Sequence, residues 1–126
     1  MGSASPRVLV VDDDPVILKL LQVNFEMEGF DVLTATDGVD GLRAARQERP
    51  DVIVSDVMMP GMNGLELVAA LGADDRTDTI PVMLLSARAQ TTDIAAGFDA
   101  GALDYVTKPF EPLELVERVH ELLRSR

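Results

Sequence analysis

The sequence predicts an α/β domain, in which a parallel five-stranded sheet is covered on both faces by five helices. Five short, mainly apolar runs alternate with segments of helical period, and the connections between them are short. Several runs are continuously apolar, which is typical of strands buried on both faces of a parallel sheet. A chain of 126 residues is the size of one such domain, with no residues left to build a second.

The predicted strands are the runs richest in Val, Leu and Ile. They are VLVV at 8–11, VLTA at 32–35, VIV at 52–54, VMLL at 82–85 and ALDYV at 102–106.

Helix start and stop signals fill the segments between these strands. Asp14 and Pro15 predict an N-cap and a first helical residue, and Gly29 predicts the end of that helix. The second predicted helix opens near Asp37 and ends before Pro50, and the third follows Asn63-Gly64. The fourth spans roughly 90–99, and the fifth starts at Glu111-Pro112.

Apolar residues at helical spacing predict which helix faces are buried. The fourth helix has mostly small residues and the weakest helical signal. The predicted buried positions are Ile17, Leu20, Leu21 and Phe25; Val39, Leu42 and Ala45; Leu65, Val68 and Ala69; and Leu115, Val116, Val119, Leu122 and Leu123.

Composition argues against several classes of protein. The net charge of −11 would repel a phosphate backbone, so we expect no direct binding of nucleic acid by this domain. No stretch approaches the ~20 apolar residues that span a bilayer, which favours a cytoplasmic protein without membrane contact. The lack of cysteine excludes disulfides, thiolate metal sites and cysteine nucleophiles. We expect residues 1–6 to be a flexible leader or cloning remnant, and 7–126 to be the domain.

Charged and polar residues follow the predicted strands. The carboxyl ends of parallel strands meet at one edge of the sheet, where ligand sites form at the topological switch point. This edge should bring together Asp12, Asp13, Asp56, Ser86 and Lys108. Alone, such a serine would be a turn residue and such a lysine a surface residue. Their convergence with three carboxylates indicates a site.

Three carboxylates at one edge require a compensating cation. Two like charges ~4 Å apart cost about 4 kcal/mol at an effective dielectric near 20. Oxygen ligands without cysteine favour Mg²⁺, for which Mn²⁺ could substitute, and the single histidine, His120, lies on the last helix away from this edge. Carboxylate, Mg²⁺, lysine and hydroxyl are the parts needed for phosphoryl transfer to an aspartate.

These motifs resemble the receiver domain of two-component response regulators. VLVVDDDP, DVIVSDVMMPGMNGLEL, PVMLLSA and AGFDAGALDYVTKPF occur in the order and spacing of that family over residues 6–124. The resemblance implies a flavodoxin-like fold of strand order 2-1-3-4-5. It also implies a phosphorelay switch that takes a phosphoryl group onto Asp56, from the phosphohistidine of a sensor histidine kinase or phosphotransfer protein, or from a small acyl phosphate. Such a domain is not an enzyme beyond its own phosphorylation and dephosphorylation.

The resemblance also implies a role for each residue at the metal. Asp13, Asp56 and the backbone carbonyl of Met58 would ligate Mg²⁺, and Asp12 would act mostly through water.

A second set of roles implied by the resemblance concerns the switch. Ser86 and Lys108 would each contact a phosphoryl oxygen, and the Lys108-Pro109 bond would be cis. Tyr105 would be the switch aromatic, inward when Ser86 has moved toward the phosphoryl group. The changed surface over the fourth helix, fifth strand and fifth helix would be read by an output domain, by a downstream protein or by a second copy of the domain.

Three other interpretations stay open from the residues. A haloacid-dehalogenase-type phosphatase would need a second aspartate two places after its nucleophile, where this chain has Met58. A flavodoxin would need phosphate-binding donors where this chain has DDDP. A pseudo-receiver would signal through partners without phosphorylation, although every residue needed for phosphorylation is present.

Overall fold

The computed structural model describes residues 5–125 and contains the predicted alternation of five strands and five helices. The strands are β1 (Arg7–Val11), β2 (Asp31–Ala35), β3 (Val52–Asp56), β4 (Val82–Ser86) and β5 (Asp104–Thr107). The helices are α1 (Pro15–Met27), α2 (Gly38–Glu48), α3 (Gly64–Gly72), α4 (Thr91–Ala100) and α5 (Pro112–Arg124).

The strands form one parallel sheet of order β2-β1-β3-β4-β5, as predicted. The chain adds β2 on one side of β1 and β3 on the other, so the switch point lies between the carboxyl ends of β1 and β3. Residues 1–4 of the predicted leader lie outside the described residues. Pro6 already belongs to the fold, because its carbonyl accepts a hydrogen bond from the amide of Asp31 at 2.9 Å.

The core has two layers, one on each face of the sheet. Alternate residues of β1 divide between them: Leu9 and Val11 pack in the layer of α2 and α3, while Val8 and Val10 pack in the layer of α1 and α5. Every residue of β3 and β4 is buried, which explains why these runs are continuously apolar. Only the last two residues of β3 and the last residue of β4 are polar.

Local hydrogen bonds place the element boundaries. The side chain of Asp14 accepts from the amide of Val16 at 2.9 Å, which confirms the predicted N-cap of α1. Strands β3 and β4 run further than predicted, so that Asp56 and Ser86 are their last residues. Strand β5 begins later than predicted, because the chain first turns through Gly101, whose φ is +121°.

Three predicted core positions are wrong. Leu20 is 39% exposed and Val39 is 55% exposed, and Ala69 also faces solvent. In α3 the buried residues are Gly64, Leu67, Val68 and Leu71, so the face that packs on the sheet is rotated from the predicted one. In the described residues, no helix is long and apolar enough to cross a membrane.

Candidate functional site

The predicted site residues meet at the carboxyl edge of the sheet. Asp12 follows β1, Asp56 ends β3, Ser86 ends β4 and Lys108 follows β5. One carboxylate oxygen each of Asp12, Asp13 and Asp56 can be chosen so that all three lie within 4.8 Å of one another. Asp12 and Asp56 are buried, whereas Asp13 is exposed. The cluster therefore has a buried floor and one side open to solvent.

Lys108 lies between the two buried carboxylates. Its Nζ is 3.3 Å from Oδ2 of Asp12 and 3.3 Å from Oδ1 of Asp56. The amide of Lys108 donates to the carbonyl of Ser86 at 2.8 Å, which extends the pairing of β4 and β5 up to the site. The Lys108-Pro109 peptide bond is cis, as predicted. The lysine backbone is thus held directly beside the end of β4.

The surroundings of the two charges shift their pKa values. Burial raises the pKa of Asp56, the negative charges of Asp12 and Asp13 raise it further, and Lys108 acts in the opposite direction. Burial alone would lower the pKa of Lys108, but the carboxylates of Asp12 and Asp56 outweigh it and raise that pKa. Lys108 therefore keeps its positive charge. This one charge does not fully offset the burial and the neighbouring negative charges that disfavour ionisation of Asp56.

Both oxygens of Asp12 have partners. Oδ1 accepts from the amide of Asp14 at 2.9 Å, and Oδ2 faces Lys108. The amide of Asp12 donates to the carbonyl of Ala35 at 3.1 Å, which ties the acidic loop to the end of β2. Asp12 is consequently held in place from three directions.

Gly64, the first residue of α3, packs against the backbone of Asp56. A Cβ at this position would overlap the carbonyl oxygen of Asp56 and would lie 2.8 Å from the Cα of Val57. The amide of Gly64 also donates to the carbonyl of Val57 at 2.9 Å. The sequence signal was the motif in which Gly64 stands, but the close approach is visible only in the structure.

Ser86 and Tyr105 are linked through the backbone of Arg88. Ser86 is fully buried, and its Oγ accepts from the amide of Arg88 at 3.0 Å. The hydroxyl of Tyr105 donates to the carbonyl of Arg88 at 2.8 Å, and Tyr105 is 7% exposed. Tyr105 is thus inward in this structure. Sequence reasoning missed the part played by Arg88, because backbone atoms leave no signal in residue identity.

The family model described as response regulator receiver domain matches residues 8–120. The chain belongs to this family. Among curated relatives, the receiver is 50% identical over 125 residues to the transcriptional regulatory protein PrrA of Mycobacterium tuberculosis, covering 99% of this chain and 53% of that protein. It is 47% identical over 119 residues to the DNA-binding dual master transcriptional regulator RpaA of Synechocystis, covering 94% of this chain and 49% of that protein. The receiver spans about half the length of these relatives.

Solved structures agree with this assignment. The receiver domain of Francisella response regulator 1452 has a TM-score of 0.90 and 38% identity, covering 96% of this chain and 98% of that chain. The chemotaxis response regulator CheY4 of Vibrio cholerae has a TM-score of 0.88 and 32% identity, covering 93% of this chain and 98% of that chain.

Membership of the family selects among the interpretations that the residues left open. The domain is a phosphorylation switch of two-component signalling, not a classical enzyme, and neither a phosphatase nor a flavodoxin. Its pocket contains Asp12, Asp13, Asp56 and Lys108, and the arrangement of the three carboxylates is consistent with a metal site of the kind typical of receivers.

Proposed function

We propose that Asp56 is the phosphoacceptor and that its Mg²⁺-dependent phosphorylation changes the surface formed by α4, β5 and α5. The observation that carries this proposal is the position of Asp56, buried at the end of β3, within 4.8 Å of the other two carboxylates and 3.3 Å from Lys108. The donor is the phosphohistidine of a sensor histidine kinase or phosphotransfer protein, or a small acyl phosphate.

In the transfer, a carboxylate oxygen of Asp56 attacks phosphorus. The bond from phosphorus to the donor nitrogen or oxygen breaks, its electron pair leaves with the donor, and an acyl phosphate forms on Asp56. Lys108, whose charge is held by two carboxylates, pairs with one phosphoryl oxygen. Oγ of buried Ser86 accepts from the amide of Arg88, so its own proton is available to donate to another phosphoryl oxygen.

The donor set fits Mg²⁺, and Mn²⁺ could substitute. Hard carboxylate oxygens at one open edge suit an ion that keeps several waters. The receiver family implies Asp13, Asp56 and the backbone carbonyl of Met58 as direct ligands. Both oxygens of Asp12 already have partners, which supports a role for Asp12 through water. When bound, the ion supplies the positive charge that lets phosphoryl oxygens approach the carboxylates.

An exposed apolar stripe on α1 supports a docking surface for the protein phosphodonor. Val16, Leu20, Val23 and Met27 are 73%, 39%, 40% and 75% exposed, at spacings that place them along one side of the helix. The stripe starts next to the acidic loop. Leu20 also lines an apolar cleft of about 440 Å³ that reaches Lys108. A donor seated here would place its phosphohistidine beside Asp56.

The output acts through α4, β5 and α5. Phe98 and Leu103 are 46% and 60% exposed near this face, which offers apolar surface to an output domain, a downstream protein or a second copy. Two relatives are by name a transcriptional regulatory protein and a DNA-binding regulator, and each is about twice as long as this chain. We therefore propose that the partner controlled by this switch acts on DNA, while the acidic receiver itself does not.

The test is the intact mass of the protein after incubation with acetyl phosphate and Mg²⁺. We expect one added phosphoryl group in the wild type and in Asp31→Asn, an exposed aspartate at the opposite edge of the sheet. No group should be added in Asp56→Asn or in the presence of a chelator. Full labelling of Asp56→Asn would refute the acceptor. A wild type that takes up neither the phosphoryl group nor beryllofluoride would favour a pseudo-receiver.

A further inference from the structure

Gly97 of α4 lies against the ring of Tyr105. It is the buried residue of α4, and a Cβ at this position would lie 2.8 Å from Cδ2 and 3.2 Å from Cε2 of Tyr105. The same Cβ would lie 3.2 Å from Cδ1 of Leu84. The ring of Tyr105 can thus occupy its inward position because residue 97 has no side chain.

The backbone of Gly97 does not itself require glycine. Its φ is not among the positive values that exclude other residues, and it lies inside the helix, where glycine stabilises less than alanine. Glycine at this position therefore needs a reason other than backbone conformation. The contact with Tyr105 supplies that reason.

The position of the ring is connected to the phosphorylation site by two hydrogen bonds. Tyr105 donates to the carbonyl of Arg88, and the amide of Arg88 donates to Oγ of Ser86. A ring displaced from under α4 loses the first bond. It thereby releases the segment that engages the hydroxyl of Ser86.

We propose that Gly97 is a positioning residue that keeps Tyr105 inward and so holds the loop from Ser86 to Arg88 in its present conformation. The consequence for signalling depends on the proposed function of Asp56 and Ser86, whereas the packing of Tyr105 does not. A methyl group at residue 97 moves the ring outward, and the site then binds phosphoryl mimics less tightly, because part of the population lacks the competent loop.

Tyrosine fluorescence tests the packing step. The chain has one tyrosine and no tryptophan, so its emission reports on Tyr105 alone. In Gly97→Ala we expect a higher quenching constant with acrylamide than in the wild type. Gly72→Ala is the matched control, since Gly72 is an exposed helical residue and its added Cβ would meet nothing within 4 Å. Quenching of Gly97→Ala at the wild-type level would overturn the proposal.

A double-mutant cycle separates the ring from other causes. Gly97→Ala should lower the midpoint of denaturant unfolding when Tyr105 is present. In a Tyr105→Ala background it should raise the midpoint, because the gain in helix propensity is then opposed only by the looser contact with Leu84. An equal decrease in both backgrounds would assign the effect to Leu84 and refute a role through Tyr105.

Beryllofluoride with Mg²⁺ tests the link to the site. We expect Gly97→Ala to raise the concentration that gives half of the thermal shift, with no such rise in the Tyr105→Ala background. An unchanged half-saturation would overturn the link. Absence of any shift in the wild type would instead contradict the proposed function and would leave the fluorescence result as a separate test of the packing.

Discussion

The Nζ of Lys108 lies 3.3 Å from Oδ1 of Asp56, although Asp56 ends β3 and Lys108 follows β5. It lies equally close to Asp12, so one ammonium group faces two buried carboxylates. The charges at this edge are therefore not balanced, and the free energy of unfolding should respond to any change in them.

Replacing the acceptor should stabilise the metal-free protein at neutral pH. Burial, with the charges of Asp12 and Asp13, raises the pKa of Asp56, so the folded state binds this proton more tightly than the unfolded chain does. Ionisation of Asp56 in the folded state lowers the free energy of unfolding. This loss is absent at pH values below 3.8, the ordinary pKa of an aspartate, and is complete at pH values above the raised pKa. We expect Asp56→Asn to raise the free energy of unfolding at pH 7 in chelator on the order of 1 kcal/mol, since Lys108 offsets much of the repulsion.

Urea unfolding from pH 7 downward measures this effect. The advantage of Asp56→Asn should shrink as the pH falls through the raised pKa of Asp56. Asp31→Asn, the exposed control, should match the wild type at every pH. A variant less stable than the wild type at pH 7 would contradict the expected sign.

Mg²⁺ should stabilise the fold through the carboxylate cluster. A concentration a hundredfold above Kd raises the free energy of unfolding by about 2.7 kcal/mol. Asp13→Asn should weaken binding at least about tenfold, because even residues that only support metal ligands contribute that much. Thermal unfolding against Mg²⁺ or Mn²⁺ concentration gives both values. Equal shifts in the wild type and Asp13→Asn would place the ion elsewhere.

Removing Lys108 should weaken the fold and uncouple the switch. Lys108→Ala leaves the buried carboxylates of Asp12 and Asp56 without their cation. We expect a loss of up to about 3 kcal/mol, at the low end for buried pairs because Lys108 is 21% exposed. Acetyl phosphate should still label Asp56, but slowly, and the labelling should no longer change the binding of the partner.

The control for this variant is Lys19→Ala, which removes an exposed lysine of α1. Asp56→Asn introduced into Lys108→Ala should restore stability, since it removes one of the two carboxylates left unpaired. Additive effects of the two substitutions would contradict a direct interaction between them.

A charge on the α1 stripe should separate protein donors from small ones. Leu20→Glu should slow phosphoryl transfer from the histidine kinase at least about tenfold, a loss of 1.4 kcal/mol of transition-state stabilisation. Labelling by acetyl phosphate should be unchanged, because Asp56 is untouched. Leu103→Glu, which alters an exposed leucine just before β5, should leave both rates at the wild-type level. Slowing with acetyl phosphate as well would point to damage of the site rather than of a docking surface.

Most of the fold could be read from local patterns. Continuous apolar runs predict buried parallel strands, and the Asp14-Pro15 signal predicts the start of α1, because both depend on neighbouring residues only. Leu20, Val39 and Ala69 were misplaced, since helical period gives the direction of a face but not what packs against it. Leu20 lies beside a cleft rather than under a neighbouring helix.

By itself the sequence determined the α/β class, the parallel sheet and the residues that reach its carboxyl edge, because strand ends and residue types are local properties. Only the tertiary structure decided the distances of Lys108 from Asp12 and Asp56, the connection of Tyr105 to Ser86 through Arg88, and the space left by Gly97. These relationships join atoms from different strands and helices, several of them backbone atoms. They depend on how the layers pack, which no short stretch of sequence specifies.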